Sequence, residues 1–138
     1  MRVLIDTSVL LRKLFGEPEP LREWSKINEA FASRILLVEL GRTIDRCRLA
    51  GDIDDEAVEH LHQEARQVLR SVEIVGLSEP ILLRAAGSMP TALGSLDSLH
   101  LATAIELAHE QKVPVVLATH DAQLARAARA SGLDVIGA

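Results

Sequence analysis

Only three aromatic residues, Phe15, Trp24 and Phe31, occur in this chain of 138 residues, and tyrosine is absent. Leu, Val, Ile and Ala therefore have to build the core. Cysteine is nearly missing: Cys47 stands alone, which excludes an intramolecular disulfide and a cysteine-based zinc site and fits a reducing compartment. No apolar run approaches the roughly 20 residues that a membrane-crossing helix needs. The opening Met1-Arg2-Val3-Leu4-Ile5-Asp6 meets a carboxylate too early for a signal peptide. Positive charge is also short, with 15 Lys and Arg against 20 Asp and Glu and a net charge of −5. A general nucleic-acid binder shows a basic footprint, so such a role here needs a bound divalent cation to offset the acids, or locally grouped arginines. Glycine-rich phosphate loops of the Walker or dinucleotide type are missing. These absences describe a cytoplasmic protein with no membrane segment.

What is present is ordinary globular composition, 48% hydrophobic and 25% charged. The length suits one domain over residues 1–138, enough to bury about two-thirds of the unfolded surface. Short apolar runs alternate with helical periodicity along the whole chain. Strands are expected at 2–5, 31–36, 72–75, 114–118 and 134–136. Helices are expected from Pro18 and Pro20 through Ile27, then over 38–50, 54–70, 78–86, 95–109 and 121–130. The helix after Asp97 is almost uncharged for two turns, the mark of an element buried on most sides. Continuous apolar strands interleaved with helices predict an α/β fold of three layers, with a parallel sheet covered on both faces.

Ligands bind such sheets beyond the carboxyl ends of the strands. Asp6 closes the first strand, Asp121 follows the fourth by three residues, and Glu39 lies just beyond the second. Asp97 sits in the first turn of the buried helix, after Ser95 as its expected cap. Each acid also has an ordinary reading. Asp6 and Asp121 suit helix N-caps, Asp97 complements a helix dipole, and Glu39 can pair with Arg42 at i, i+3. Together they point elsewhere. Carboxylates meeting at one sheet edge repel unless a cation joins them, and hard divalent cations with phosphate oxygens supply that cation and its remaining ligands. The set suits phosphodiester chemistry.

Asp6-Thr7-Ser8 after the first strand, Val38-Glu39-Leu40 entering a helix, the run from Leu96-Asp97-Ser98 through Leu99-His100-Leu101-Ala102-Thr103-Ala104, and Thr119-His120-Asp121-Ala122-Gln123-Leu124 resemble, in order, the four signature segments of PIN-domain ribonucleases. The compact length is similar to the VapC-type toxins of bacterial toxin–antitoxin pairs. The resemblance implies a four- or five-stranded parallel sheet of order 3-2-1-4-5 and a Mg²⁺- or Mn²⁺-dependent endoribonuclease. It implies Asp6 and Asp97 as direct metal ligands, with Glu39 and Asp121 ligating directly or through water. Thr119 matches a hydroxyl placed beside the acids, and Thr7 and Thr119 are expected to contact substrate. The implied partners are RNA and a VapB-like antitoxin, in a homodimer or a toxin–antitoxin hetero-oligomer.

Other residues stay open between two readings. Arg42 and Arg46, on the helical face of Glu39, either hold phosphate or pair with Glu39 and Asp45. Arg126 and Arg129 are similar candidates. His120 adjoins Asp121 and is the histidine better placed for catalysis, whereas His100 is expected to pack or hydrogen-bond inside its helix. Leu21, Trp24 and Ile27 are expected in the core rather than in a groove for an antitoxin helix. A receiver domain fails because the third strand, Val72-Glu73-Ile74-Val75, carries no Asp. A haloacid-dehalogenase-type phosphatase fails because Ser8 stands where its second Asp belongs. A PIN nuclease outside a toxin pair, acting on RNA or DNA, and a non-catalytic RNA- or protein-binding domain remain as alternatives.

Overall fold

A computed structural model describes residues 1–138. Its elements run β1 (Arg2–Ile5), α1 (Thr7–Leu14), β2 (Glu29–Ser33), α2 (Ile35–Leu49), α3 (Asp55–Leu69), β3 (Val72–Val75), α4 (Glu79–Ala86), α5 (Ser95–Gln111), β4 (Val116–Ala118), α6 (Ala122–Ala130) and β5 (Val135–Ile136). The five strands form one sheet of order β3-β2-β1-β4-β5, and every neighbouring pair is parallel. β1 is the central strand. Its register sets Val3 beside both Ala30 and Val116.

Alternation along β1 divides the core. Val3 and Ile5 pack with Val9, Leu10, Leu36, Ile44 and Leu61, on the side covered by α1, α2 and α3. Leu4, between them, packs with Leu101, Leu107, Leu117 and Leu124, on the side covered by α5 and α6. Successive strand side chains point to opposite faces, so a continuous apolar strand such as Val3-Leu4-Ile5 feeds both layers at once. α5 earns its lack of charge in the same way, with Leu101, Ala102, Thr103 and Ala104 all buried.

Three expectations change. α1 follows Asp6 directly and was not read from the sequence, although Asp6 caps it and Arg12 and Lys13 end it. The helix expected at 18–27 is only a 3₁₀ segment, Arg22–Lys26. The two prolines fix φ on either side of Glu19, which takes a left-handed φ of 55° and breaks helical continuity, while Leu21, Trp24 and Ile27 still pack on the core. The second strand spans 29–33 instead of 31–36. Leu36 is buried from the first turn of α2, whereas Leu37 and Val38 are exposed, so one apolar run crosses a strand and a helix start. A smaller shift concerns α5, which is capped by Gly94, with Ser95 as its first residue.

Candidate active site

Strand connections diverge at β1: β2 lies on one side of it and β4 on the other. This switch point opens a crevice at the carboxyl edge of the sheet, and Asp6 and Thr119 flank it. The Asp6 backbone N–H donates to the Ala118 carbonyl at 3.0 Å, continuing the ladder one residue past β1. Asp6 is also the N-cap of α1. Its Oδ1 accepts from the Val9 N–H at 3.2 Å and from the Ser8 hydroxyl at 2.6 Å, and its Oδ2 accepts from the Thr119 hydroxyl at 2.7 Å. Burial drives the Asp6 pKa above its usual value, and the hydrogen bonds from Ser8, Thr119 and Val9 oppose the rise without cancelling it.

Asp121 caps α6. Its Oδ1 accepts from the backbone N–H groups of Gln123 and Leu124, both at 2.8 Å, and its own N–H donates to the Thr119 hydroxyl at 2.9 Å. Thr119 thus ties Asp6 to Asp121. It is fully buried and its hydroxyl is committed at both ends, so it stands beside the acids, as expected, without the surface that substrate contact requires.

Glu39 lies on α2, and its Oε1 takes two hydrogen bonds. The Thr7 hydroxyl donates at 2.9 Å and His100 Nε2 at 2.6 Å. Burial raises the Glu39 pKa, but the His100 hydrogen bond and charge and the Thr7 hydroxyl outweigh it, leaving a net lowering. Thr7 is likewise buried and committed to Glu39. His100, expected to pack within its own helix, instead reaches across from α5 and positions an acid. Nothing in the sequence pointed to that pair, because 61 residues separate them.

Asp97, in the first turn of α5, is half-buried and accepts no hydrogen bond from the protein. Burial raises its pKa, and the charges of Asp121, Asp6 and Glu39 raise it further. Asp97 and the other three acids, Asp6, Glu39 and Asp121, face one crevice. They line one cavity of about 260 Å³ together with Thr7, Ser8, Thr43, Arg46 and His100. Larger hollows exist, one of about 430 Å³ beside Ile81, but none gathers such a set. Ser8, which sequence reasoning passed over, sits two residues beyond Asp6 and braces it.

The arginines divide. Arg46 lines the cavity and donates to Thr43 at 3.2 Å. Arg42 turns away to Asp45, which Arg48 also holds. Arg126 is exposed on α6, and Arg129 donates to the Ala138 carbonyl. His120 faces the Gly137 carbonyl instead of the acids.

No three Asp, Glu, His or Cys side chains converge into a ready-made metal cage. The donors facing the cavity are nevertheless hard carboxylate oxygens, and Asp97 has none of its own capacity engaged. That chemistry fits Mg²⁺ or Mn²⁺ held by one or two carboxylates with water completing the shell; it does not fit the closed Cys and His sites of structural zinc.

The profile of the PIN domain family matches residues 3–130. Ribonuclease VapC47 of Mycobacterium tuberculosis (strain CDC 1551 / Oshkosh) is 32% identical over 115 residues, covering 78% of each chain. Among solved structures, VapBC2 from Rickettsia felis, bound to a DNA fragment from its promoter, overlays with a TM-score of 0.64 at 17% identity, covering 98% of this chain and 97% of that one. VapBC-1 from nontypeable Haemophilus influenzae overlays with a TM-score of 0.65 at 17% identity, covering 98% and 96%. At these identities the two structures speak for the fold.

Proposed function

Because the chain belongs to the PIN-domain family, we propose that its four-acid cavity is the active site of a Mg²⁺- or Mn²⁺-dependent endoribonuclease, the toxin of a VapBC-type pair. The carrying observation is Asp97. A carboxyl without a donor, its pKa raised by burial and then by three neighbouring carboxylates, is relieved by a bound cation. Asp6 and Asp97 are the proposed direct ligands; Glu39 and Asp121 act directly or through water. When bound, the cation supplies a Lewis acid for the phosphate and a water of lowered pKa.

The chain's own residues do the rest. Ser8, Thr119 and the Val9 N–H fix both Asp6 oxygens. Thr7 and His100 hold Glu39 by Oε1 and leave Oε2 free. Its lowered pKa keeps Glu39 ionised at neutral pH, so Oε2 is available as an acceptor for water or a cation. The caps on Asp121 occupy Oδ1 and leave Oδ2. Arg46 at the rim supplies a cationic partner for the RNA backbone. The VapC47 match supports RNA as substrate. The VapBC neighbours support a VapB-like antitoxin as partner, in a hetero-oligomer or beside a homodimer. No helix is long and apolar enough to cross a membrane, in keeping with the proposed cytoplasmic setting.

Purified protein, freed of partner, should cut discrete sites in mixed cellular RNA with Mg²⁺ or Mn²⁺ but not with EDTA. Asp6→Ala and Asp97→Asn should abolish those cuts. Cutting that persists in both variants removes the carboxylate site. Absence of both cutting and Mn²⁺ binding returns the chain to a non-catalytic binding domain.

A further inference from the structure

A second cavity, of about 220 Å³, lies beside the acidic one. A residue of each is joined by a hydrogen bond, from the His120 backbone N–H to the Ser8 hydroxyl at 2.9 Å. Ser8 and Asp121 line the acidic side, and His120 lines the other. Helix α1 serves both, presenting Ser8 and Leu11 to the acids and Arg12 to the second cavity, positions that share one helix face. The far wall is Glu19, Arg22 and Glu23. Glu19 takes a left-handed φ of 55°, and prolines on either side stiffen that lip.

His120 Nδ1 lies 2.8 Å from the Gly137 carbonyl oxygen. A carbonyl only accepts, so Nδ1 carries the hydrogen, and Nε2 of the neutral ring is an acceptor. That Nε2 is buried without any partner, whereas buried polar atoms are ordinarily satisfied. Because the ring lines the cavity, a small turn of it would bring Nε2 to a donor on a ligand seated there. The remaining lining mixes signs: Arg12 and Arg22 offer donors, Glu19 and Glu23 acceptors. Arg22 and Glu23 enter no ion pair within the chain. A phosphate here would face two carboxylates along with the two guanidinium groups, a poor match. The edge of a nucleobase carries donors and acceptors side by side and matches well. The volume, below the roughly 300–1,000 Å³ of drug-sized pockets, suits one ring system. Guanine fits most fully, with acceptors at O6 and N7 for arginine and N–H donors for a carboxylate or Nε2.

We propose that this cavity holds an unpaired guanine base of the RNA strand next to the phosphate at the acids, making Arg22, Glu23 and His120 specificity residues. The proposal rests on the ribonuclease reading above. Its first test needs no catalysis. The whole chain, in EDTA, is titrated to millimolar concentrations with the 5′-monophosphates of guanosine, adenosine, cytidine and uridine, and with ribose 5-phosphate, while the His120 ring signals are followed by NMR. Guanosine monophosphate should move them most, and Arg22→Ala, an exposed and unpaired position, should weaken its binding at least fivefold. Equal shifts from all five compounds, or from none, overturn the base site. The second test maps cut ends. Wild-type cuts should share a guanine at one fixed offset, and Arg22→Ala and Glu23→Gln should flatten that preference. An unchanged distribution of cuts overturns the proposal. Selective guanosine monophosphate binding by a protein that cuts no RNA would leave the base site standing and remove the ribonuclease reading.

Discussion

Asp97 owes its raised pKa to burial first and then to three carboxylates, and the sign of that shift has a measurable consequence. A carboxyl raised in the folded state contributes stability below its unfolded pKa of about 3.9, and the contribution is lost as pH rises through the folded value. Asp97→Asn should therefore raise the Tm at pH 7, by about 2–4 °C once screening by water is allowed for, and lose that advantage towards pH 3. Calorimetry across that range checks it; a variant less stable than wild type at pH 7 contradicts it. Millimolar Mn²⁺ should raise the wild-type Tm by linkage and leave Asp97→Asn unmoved. Glu39 gives the companion case. Thr7→Val keeps shape but removes one donor to Oε1, and partners of this kind are worth roughly 10–100-fold. The expected result is at least a tenfold fall in kcat with KM for RNA unchanged. His100→Gln, which keeps an N–H donor, should retain more activity than His100→Ala; equal losses would mean that His100 only fills space.

At the scale of elements, Gly137 closes the C-terminal edge of the site. Its φ is +92°, and a Cβ there would stand 2.7 Å from the Thr119 carbonyl oxygen. Gly137→Ala should cost about 1–3 kcal/mol in urea unfolding and shift the His120 ring that rests on the Gly137 carbonyl; a neutral result would show that the last residues simply move aside. The same scale explains what the sequence made readable. β1, β3, α3 and α4 announced themselves within a residue or so, because short runs rich in β-branched residues between turn signals, and a clean helical stripe, have few other solutions. The four acids stood out because three follow strands and one leads an uncharged helix. α1 was hidden: the β-branched Thr7 and Val9 favour extended chain, and only the Asp6 cap spoke for a helix. The run from Phe31 to Leu36 gave no sign of where strand became helix, since both bury apolar side chains. Contacts such as Glu39 with His100 depend on sheet order and lie beyond any local pattern.

For the whole molecule, the excess of acid limits how the proposed RNA substrate can be held. Arg46 is the basic side chain at the acidic cavity, while Arg22 at its neighbour is set among carboxylates and faces a base on the proposed reading, so few phosphates can be neutralised. Each contact to single-stranded RNA contributes about −0.7 to the slope of log K against log salt. One contact gives roughly −0.7, and binding should be feeble in EDTA and strengthen with Mg²⁺. A slope steeper than about −4 would require an extended basic surface and argue against this picture.

The central place of β1 also orders events in time. The Thr119 hydroxyl that braces Asp6 lies 113 residues further along the chain. Synthesis at about 5–20 residues per second separates the two by roughly 6–23 s. During that interval β1 has no β4 beside it, and Asp6 and Asp121 cannot meet. If Asp6 acts as proposed, a chain still on the ribosome, surrounded by RNA, carries that acid without an assembled site, and the strand order itself delays activity until synthesis is nearly complete.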